Sequence, residues 1–184
     1  MAKILLMATS LRKESFNKKL IENANRILNV EKSNHSFEVI QFNDYPLPVY
    51  DGDLETQSGL PENVKKLTQK ISEFDAVIFS TPEYNGSIPG PFKNAIDWLS
   101  RVKPASSLSD KHTLLLAASP GALGGVRGLW HSRVPLEASG MHVFPEMFGL
   151  SAAHNAFDEK GTLKDAATEE RLKKLLFKFC DFIK

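Results

Sequence analysis

The sequence predicts an α/β protein: a doubly wound, five-stranded parallel sheet in a three-layer αβα sandwich. Three observations carry this. Short runs such as Ile4–Ala8 and Ala76–Ser80 are almost wholly apolar, as strands covered on both faces are. Five strand segments alternate with five stretches of helical apolar spacing, which implies parallel strands joined by helical crossovers. The 184 residues show no internal repeat and no linker, so one domain over residues 1–184 is expected, long enough for a full core. Periodicity does not choose between the two common strand orders, and the length fits the five-strand version.

The first strand is Ile4–Ala8. With Met1–Lys3 before it, it resembles a signal peptide only weakly, because the apolar part is short and runs into Arg12 and Lys13. A helix follows, with Phe16, Leu20, Ile21, Ala24, Ile27 and Leu28 at helical spacing. The second strand is Phe37–Phe42. Residues 43–59 are polar and proline-bearing, hold Tyr45, Pro46, Pro48 and Tyr50, and read as a long loop. Pro61 opens the second helix, whose apolar face is Val64, Leu67, Ile71 and Phe74. Strand three is Ala76–Ser80, and Thr81–Gly90 leads from it into a helix with Phe92, Ala95, Ile96, Leu99 and Val102 on one face. After a serine-rich turn at 103–110 come strand four, His112–Ala118, and a glycine-rich loop, Ser119–Gly125. The fourth helix covers Val126–Ser139, with Pro135 allowing a kink or an early end. Strand five is placed at Met141–Phe144 and a hairpin or turn at Asn155–Gly161. The last helix carries Leu172, Leu175, Leu176, Phe179, Cys180 and Ile183 on one face.

Composition removes several function classes. A net charge of +1 leaves no electrostatic footprint for nucleic acid or an anionic membrane. No apolar run reaches the roughly 18 residues of a membrane span. A single cysteine forms no intramolecular disulfide, which suits a cytoplasmic protein.

The chemistry is expected where strands one, three and four end, because open α/β sheets bind ligands at the carboxyl edge. With the first strand near the middle of the sheet, the three loops that follow these strands line one crevice. The first holds Ser10, Arg12, Ser15 and Asn17 just ahead of a helix. Unpaired N–H groups at the helix start, with hydroxyls, an amide and a guanidinium, suit a phosphate ester; Ser15 or Asn17 capping the helix is the plainer reading. The second loop has two prolines and two glycines in the ten residues Thr81–Gly90, offering N–H groups from Glu83 to Ser87 and the Tyr84 ring to a flat heteroaromatic ligand. The third, Ser119–Gly125, brings backbone near the other edge of such a ring, or is simply a turn before the fourth helix.

Other chemistries lack their residues. Neither the phosphate loop of nucleoside triphosphatases nor Gly-x-Gly-x-x-Gly is present. A phosphatase on this sheet needs a cysteine in the first loop, whereas Cys180 lies on an apolar helix face. The five histidines form no metal-binding pattern and Gly-x-Ser-x-Gly is absent. Trp98 and Trp130 read as packing or subunit-contact residues. Arg127 and Glu146 either pair across a subunit contact or sit solvated on the surface.

The stretches Ser10–Asn17, Thr81–Gly90, Lys93–Trp98 and Ser119–Gly121 with Gly124–Gly125 resemble the NAD(P)H-dependent FMN reductase family, over nearly the whole chain. The resemblance implies a flavodoxin-like fold and an enzyme that passes a hydride from NAD(P)H through bound FMN to a quinone, azo compound, chromate or free flavin. Position by position, it implies that Ser10, Arg12, Ser15, Phe16 and Asn17 hold the FMN phosphate. Pro82, Glu83, Tyr84, Asn85, Gly86 and Ser87 cradle the isoalloxazine and ribityl chain, and Ser119 and Gly121 complete the pocket. It further implies a homodimer or homotetramer with FMN near the subunit contact; with the chemistry carried by FMN, no protein acid or base is required. The 43–59 loop matches no family motif. A flavodoxin-type electron carrier is the alternative, and the absence of strong acidity argues against it.

Overall fold

The computed structural model describes residues 1–30 and 34–183. In chain order the elements are β1 (Lys3–Ala8), α1 (Phe16–Val30), β2 (Ser36–Gln41), α2 (Gly52–Ser58), α3 (Glu62–Ser72), β3 (Ala76–Ser80), α4 (Gly90–Leu99), β4 (His112–Ala118), α5 (Val126–Ala138), β5 (His142–Leu150), α6 (Ala153–Ala156) and α7 (Ala166–Phe182). The strands form one sheet in the order β2-β1-β3-β4-β5, and every neighbouring pair is parallel. This is the flavodoxin-like order of the two left open by periodicity, and it puts the carboxyl ends of β1, β3 and β4 side by side.

Both faces of the sheet are covered. Successive strand residues point to opposite sides, so Ile4, Leu6, Ala8, Ile78 and Leu116 pack against Leu20, Ala24 and Leu28 of α1 and Leu172, Leu176 and Phe179 of α7. Leu5, Met7, Val77, Phe79 and Leu115 pack against Leu67 and Ile71 of α3, Phe92 and Ile96 of α4, and Leu129 and Leu136 of α5. This two-sided burial is the physical reason that β1, β3 and β4 read as continuous apolar runs. Cys180 lies in the first of these cores, as expected.

The structure departs from the sequence reading in four places. Residues 43–59 are not one loop. A 3-10 turn at Phe42–Asp44 ends the second strand at Gln41, and α2 follows, capped by Asp51, which accepts from the Asp53 N–H at 2.8 Å. None of the α2 residues is buried, so it has no apolar face to announce it. This segment is pinned on α4: Trp98 Nε1 and Asn94 Nδ2 both donate to the Pro48 carbonyl, at 2.9 and 2.8 Å, and the Tyr50 N–H donates to Asn94 Oδ1. The fully buried Trp98 is thus a packing residue, whereas Trp130 is exposed.

The fifth strand runs to Leu150, well past Phe144. Thr113 pairs with Val143 but Leu115 pairs with Met147, so β5 carries extra residues around Pro145. The irregularity breaks the hydrophobic pattern, and Pro145 is tolerated because β5 is an edge strand. Helix α4 ends at Leu99, which leaves Val102 outside it. The Asn155–Gly161 turn begins inside the short α6 and closes as an antiparallel bridge between Phe157 and Leu163.

Candidate active site

The first loop is tied to the sheet at both ends. The Thr9 N–H donates to the Ser80 carbonyl at 2.9 Å, holding the end of β1 against β3. The buried Ser10 hydroxyl accepts from the Arg12 N–H at 3.3 Å, and Ser15 Oγ accepts from the Asn17 N–H at 3.2 Å, which caps α1. Asn17 does more than follow a cap. Its Oδ1 accepts from Ser80 Oγ at 2.8 Å and from the Ala118 N–H at 2.9 Å, and its Nδ2 donates to the Ala118 carbonyl at 3.0 Å. One buried amide therefore joins the start of α1 to the ends of β3 and β4. Little of it remains for a ligand.

Other donors in this loop are unengaged. Among the described residues, the N–H groups of Lys13, Glu14 and Ser15 and the exposed Arg12 guanidinium have no hydrogen-bond partner. They stand beside the positive end of α1, a ready anion site. The Phe16 ring stacks on Phe157, with centroids 6.4 Å apart.

In the second loop Tyr84 and Ser87 exchange backbone hydrogen bonds of 3.1 and 3.0 Å around Asn85 and Gly86. Both central residues have positive φ, 51° and 75°, as a tight hairpin turn requires. The Asn-Gly dipeptide is the sequence signal for this turn.

The Glu83 carboxylate faces α5, not the solvent. It accepts from the N–H groups of Arg127 and Gly128 and pairs with the Arg127 guanidinium, so it caps α5 from another loop. Gly128 is what lets the helix come this close: a Cβ there would lie 3.1 Å from both Cα and Cβ of Glu83. His131 Nδ1 and Ser87 Oγ, 2.9 Å apart, add a second link. Arg127 thus pairs inside the chain, and so does Glu146, which binds Lys178 at 2.9 Å. Of the two readings left open for Arg127 and Glu146, a pair across a subunit contact or a solvated surface position, the second describes Glu146, whose ion pair with Lys178 is exposed, while Arg127 is engaged with Glu83. Residues 44 apart in sequence carry no local signal of the Glu83–Arg127 pair, and Gly128 and His131 go unmarked in the sequence reading.

Burial pushes the Glu83 carboxyl up, but the hydrogen bonds from Arg127 and Gly128 and the guanidinium charge outweigh it and hold it below the ordinary carboxylate value. A carboxylate held low stabilises the fold above its unfolded pKa and loses that contribution as pH falls through the folded value. Glu83→Gln is therefore expected to cost about 1–3 kcal/mol at neutral pH. The gap to the parent protein should shrink in acid, below the unfolded carboxyl pKa of about 4.3. Urea denaturation from neutral to acid pH measures it, and a gap independent of pH contradicts this role.

The third loop packs against the end of β5. The Ser119 N–H donates to the Leu150 carbonyl and the Ala153 N–H to the Ser119 carbonyl, both at 3.0 Å. The Gly121 N–H donates to Ser119 Oγ at 3.2 Å. Gly124 and Gly125 both have positive φ and sit against backbone and Ala117.

Together the loops form a cleft of about 250 Å³ at the carboxyl rim of the sheet. Ser10, Arg12, Ser15, Phe16 and Asn17 line one side, Pro82, Glu83 and Tyr84 the second, and Ala118, Ser119 and Pro120 the third. Nine of the thirteen sequence-predicted residues thus meet in its wall. Asn85, Gly86, Ser87 and Gly121 stand in the flanking turns, and Ala118 and Pro120 are additions.

A profile of the NADPH-dependent FMN reductase family matches residues 2–155. The chain belongs to this family. It is 34% identical over 183 residues to the quinone reductase of Escherichia coli K12, covering 98% of this chain and 94% of that one. It is 36% identical over 178 residues to the NAD(P)H:quinone oxidoreductase of Solanum tuberosum, covering 95% and 89%. Among solved structures, the flavoenzyme NAD(P)H:(acceptor) oxidoreductase FerB of Paracoccus denitrificans superposes with a TM-score of 0.81 at 30% identity, over 100% of this chain and 97% of that one. As a member of the family, the chain is an oxidoreductase that takes FMN, with NAD(P)H as co-substrate. The cleft fits such a group, since unengaged N–H donors and a free guanidinium suit a phosphate and a backbone hairpin beside Tyr84 suits a flat ring.

Proposed function

We propose that this protein is a single-domain, cytoplasmic NAD(P)H-dependent reductase whose acceptor is a neutral, flat molecule of the quinone class. Arg12, with Ser10, Ser15, Phe16 and Asn17, would surround the FMN phosphate. The second loop, Pro82 to Ser87, would support the isoalloxazine and ribityl chain, and Ser119 and Gly121 would close the cleft. FMN, when bound, supplies hydride relay between NAD(P)H and acceptor; the protein supplies position and electrostatics. With the Tyr84 and Ser87 N–H groups bonded to each other's carbonyls, those of Asn85 and Gly86 would be the hairpin donors left for negative charge on the ring, and the Glu83 carboxylate is kept for α5.

The observation that carries this reading is the unengaged donor set of the first loop, held by Asn17 at the same rim as the hairpin. The acceptor class is supported by an apolar recess next door. It measures about 590 Å³, shares Leu11 with the first loop, and is lined by Phe42, Tyr45, Leu47, Val49 and Pro91 without a charged side chain. Its amides are engaged: Asn43 donates to the Leu11 carbonyl and Asn94 to that of Pro48. An oxyanion such as chromate finds no cation there. Exposed Trp130 and Val134 on α5 support the proposed homodimer or homotetramer.

Purified protein supplied with FMN should turn yellow and oxidise NAD(P)H fastest with quinones, in a panel that includes azo, chromate and ferric acceptors. Flavin uptake without NAD(P)H oxidation would identify an electron carrier, which a net charge of +1 disfavours. Arg12→Ala should weaken FMN binding by about 1.5–3 kcal/mol, the range for a hydrogen bond to a charged group. Fluorescence titration reads this, and unchanged affinity removes Arg12 from the phosphate site.

A further inference from the structure

A second polar recess adjoins the cleft on the β5 side, with a volume of about 490 Å³. Its floor is the end of β5 with Asn155 and Ala156 of α6, and its far wall is the Leu163–Arg171 stretch, all of which lies beyond the segment matched by the family profile. The two cavities share no lining residue but are joined through backbone hydrogen bonds. Ser119 of the cleft is bonded to Leu150, which lines the recess, and to Ala153. Neighbouring strands lie roughly 4.8 Å apart, so the recess beside β5 is about 10 Å from the middle strand of the cleft, a distance an extended dinucleotide spans.

The recess carries two cations. The Arg171 guanidinium lies 5.1 Å over the Phe148 ring, and neither it nor the Lys164 ammonium has a hydrogen-bond or ion-pair partner among the described residues. A guanidinium held over an aromatic face keeps N–H donors for a second partner, and a phosphate suits them. The one carboxylate in the recess, Asp165, is engaged at the start of α7. It accepts from the N–H and the hydroxyl of Thr168 at 2.8 and 2.6 Å. Those hydrogen bonds and, to a lesser degree, the nearby Arg171 charge hold its pKa below the ordinary value, so it stays charged and offsets part of the positive field of Arg171 and Lys164.

We propose that this recess binds the 2′-phosphate of NADPH through Lys164 and Arg171, and that it makes the enzyme prefer NADPH to NADH. The inference rests on the reductase reading above, but its first test does not. Adenosine 2′,5′-bisphosphate should bind the flavin-free protein in calorimetry, adenosine 5′-monophosphate at least tenfold more weakly. A Lys164→Gln/Arg171→Met double variant, in which methionine still covers Phe148, should abolish that difference and leave FMN uptake and thermal stability unchanged. In steady-state kinetics of the FMN-loaded enzyme, kcat/KM for NADPH should fall at least tenfold in the variant and that for NADH less than twofold. Raised salt should weaken the bisphosphate contact. Equal binding of the two adenosine nucleotides, or an equal fall with both coenzymes, overturns the proposal. Failure of FMN uptake in the parent protein overturns the reductase reading and leaves the calorimetric result standing by itself.

Discussion

Asn17→Ala is expected to lower the free energy of unfolding by about 2–4 kcal/mol, because it strands buried partners that have no water to turn to. Asn17 is 2% exposed, and the three bonds it makes reach Ser80 and both backbone groups of Ala118. For a domain of this length each kcal/mol corresponds to roughly 2–4 °C, so the melting temperature should drop by about 5–15 °C. Ser80→Ala removes only the hydroxyl partner and should cost about 1 kcal/mol. FMN affinity of Asn17→Ala should fall as well, since the amide sets where the first loop meets β3 and β4. A variant that melts normally yet binds flavin poorly would show that Asn17 acts on the ligand directly instead.

Gly124→Ala should be at least as damaging. At φ 61°, a Cβ there would lie 2.8 Å from the Gly149 carbonyl carbon and 2.9 Å from the Ser151 nitrogen. Both neighbours are backbone, so neither moves without shifting β5. The left-handed conformation alone costs roughly 1–2 kcal/mol for a side-chain residue, and forced overpacking typically adds 1–3. A total loss of about 2–5 kcal/mol follows, with weakened flavin binding as the third loop is displaced. Gly161→Ala is the control: its φ is also positive, at 82°, but its Cβ would meet only the flexible Lys19 side chain at 3.8 Å. If the two variants lose the same stability, the packing part of the argument fails.

Much of this was legible in the sequence, for a physical reason. Strands buried on both faces cannot hide their apolar runs, and Ile4–Ala8 and Ala76–Ser80 are found almost to the residue. The three rim loops were legible because their unusual hydroxyl, proline and glycine content follows directly on those strands. What was not legible lacks a local period. The α2 helix buries nothing, the outer half of β5 has its alternation interrupted at Pro145, and the Glu83 cap on α5 joins distant residues. Asn17 shows the limit most clearly. Its type and place mark it as important, but only coordinates reveal that its amide is turned towards the sheet.

The tether between Glu83 and the start of α5 has a mechanical corollary. Trp130 and Val134 sit on the outward side of the same helix, one to two turns from the residues that grip the second loop. A neighbour pressing on that side would shift the hairpin through a single stiff rod. Assembly and cofactor retention would then bias each other reciprocally, with no wire of intermediate residues needed to connect them.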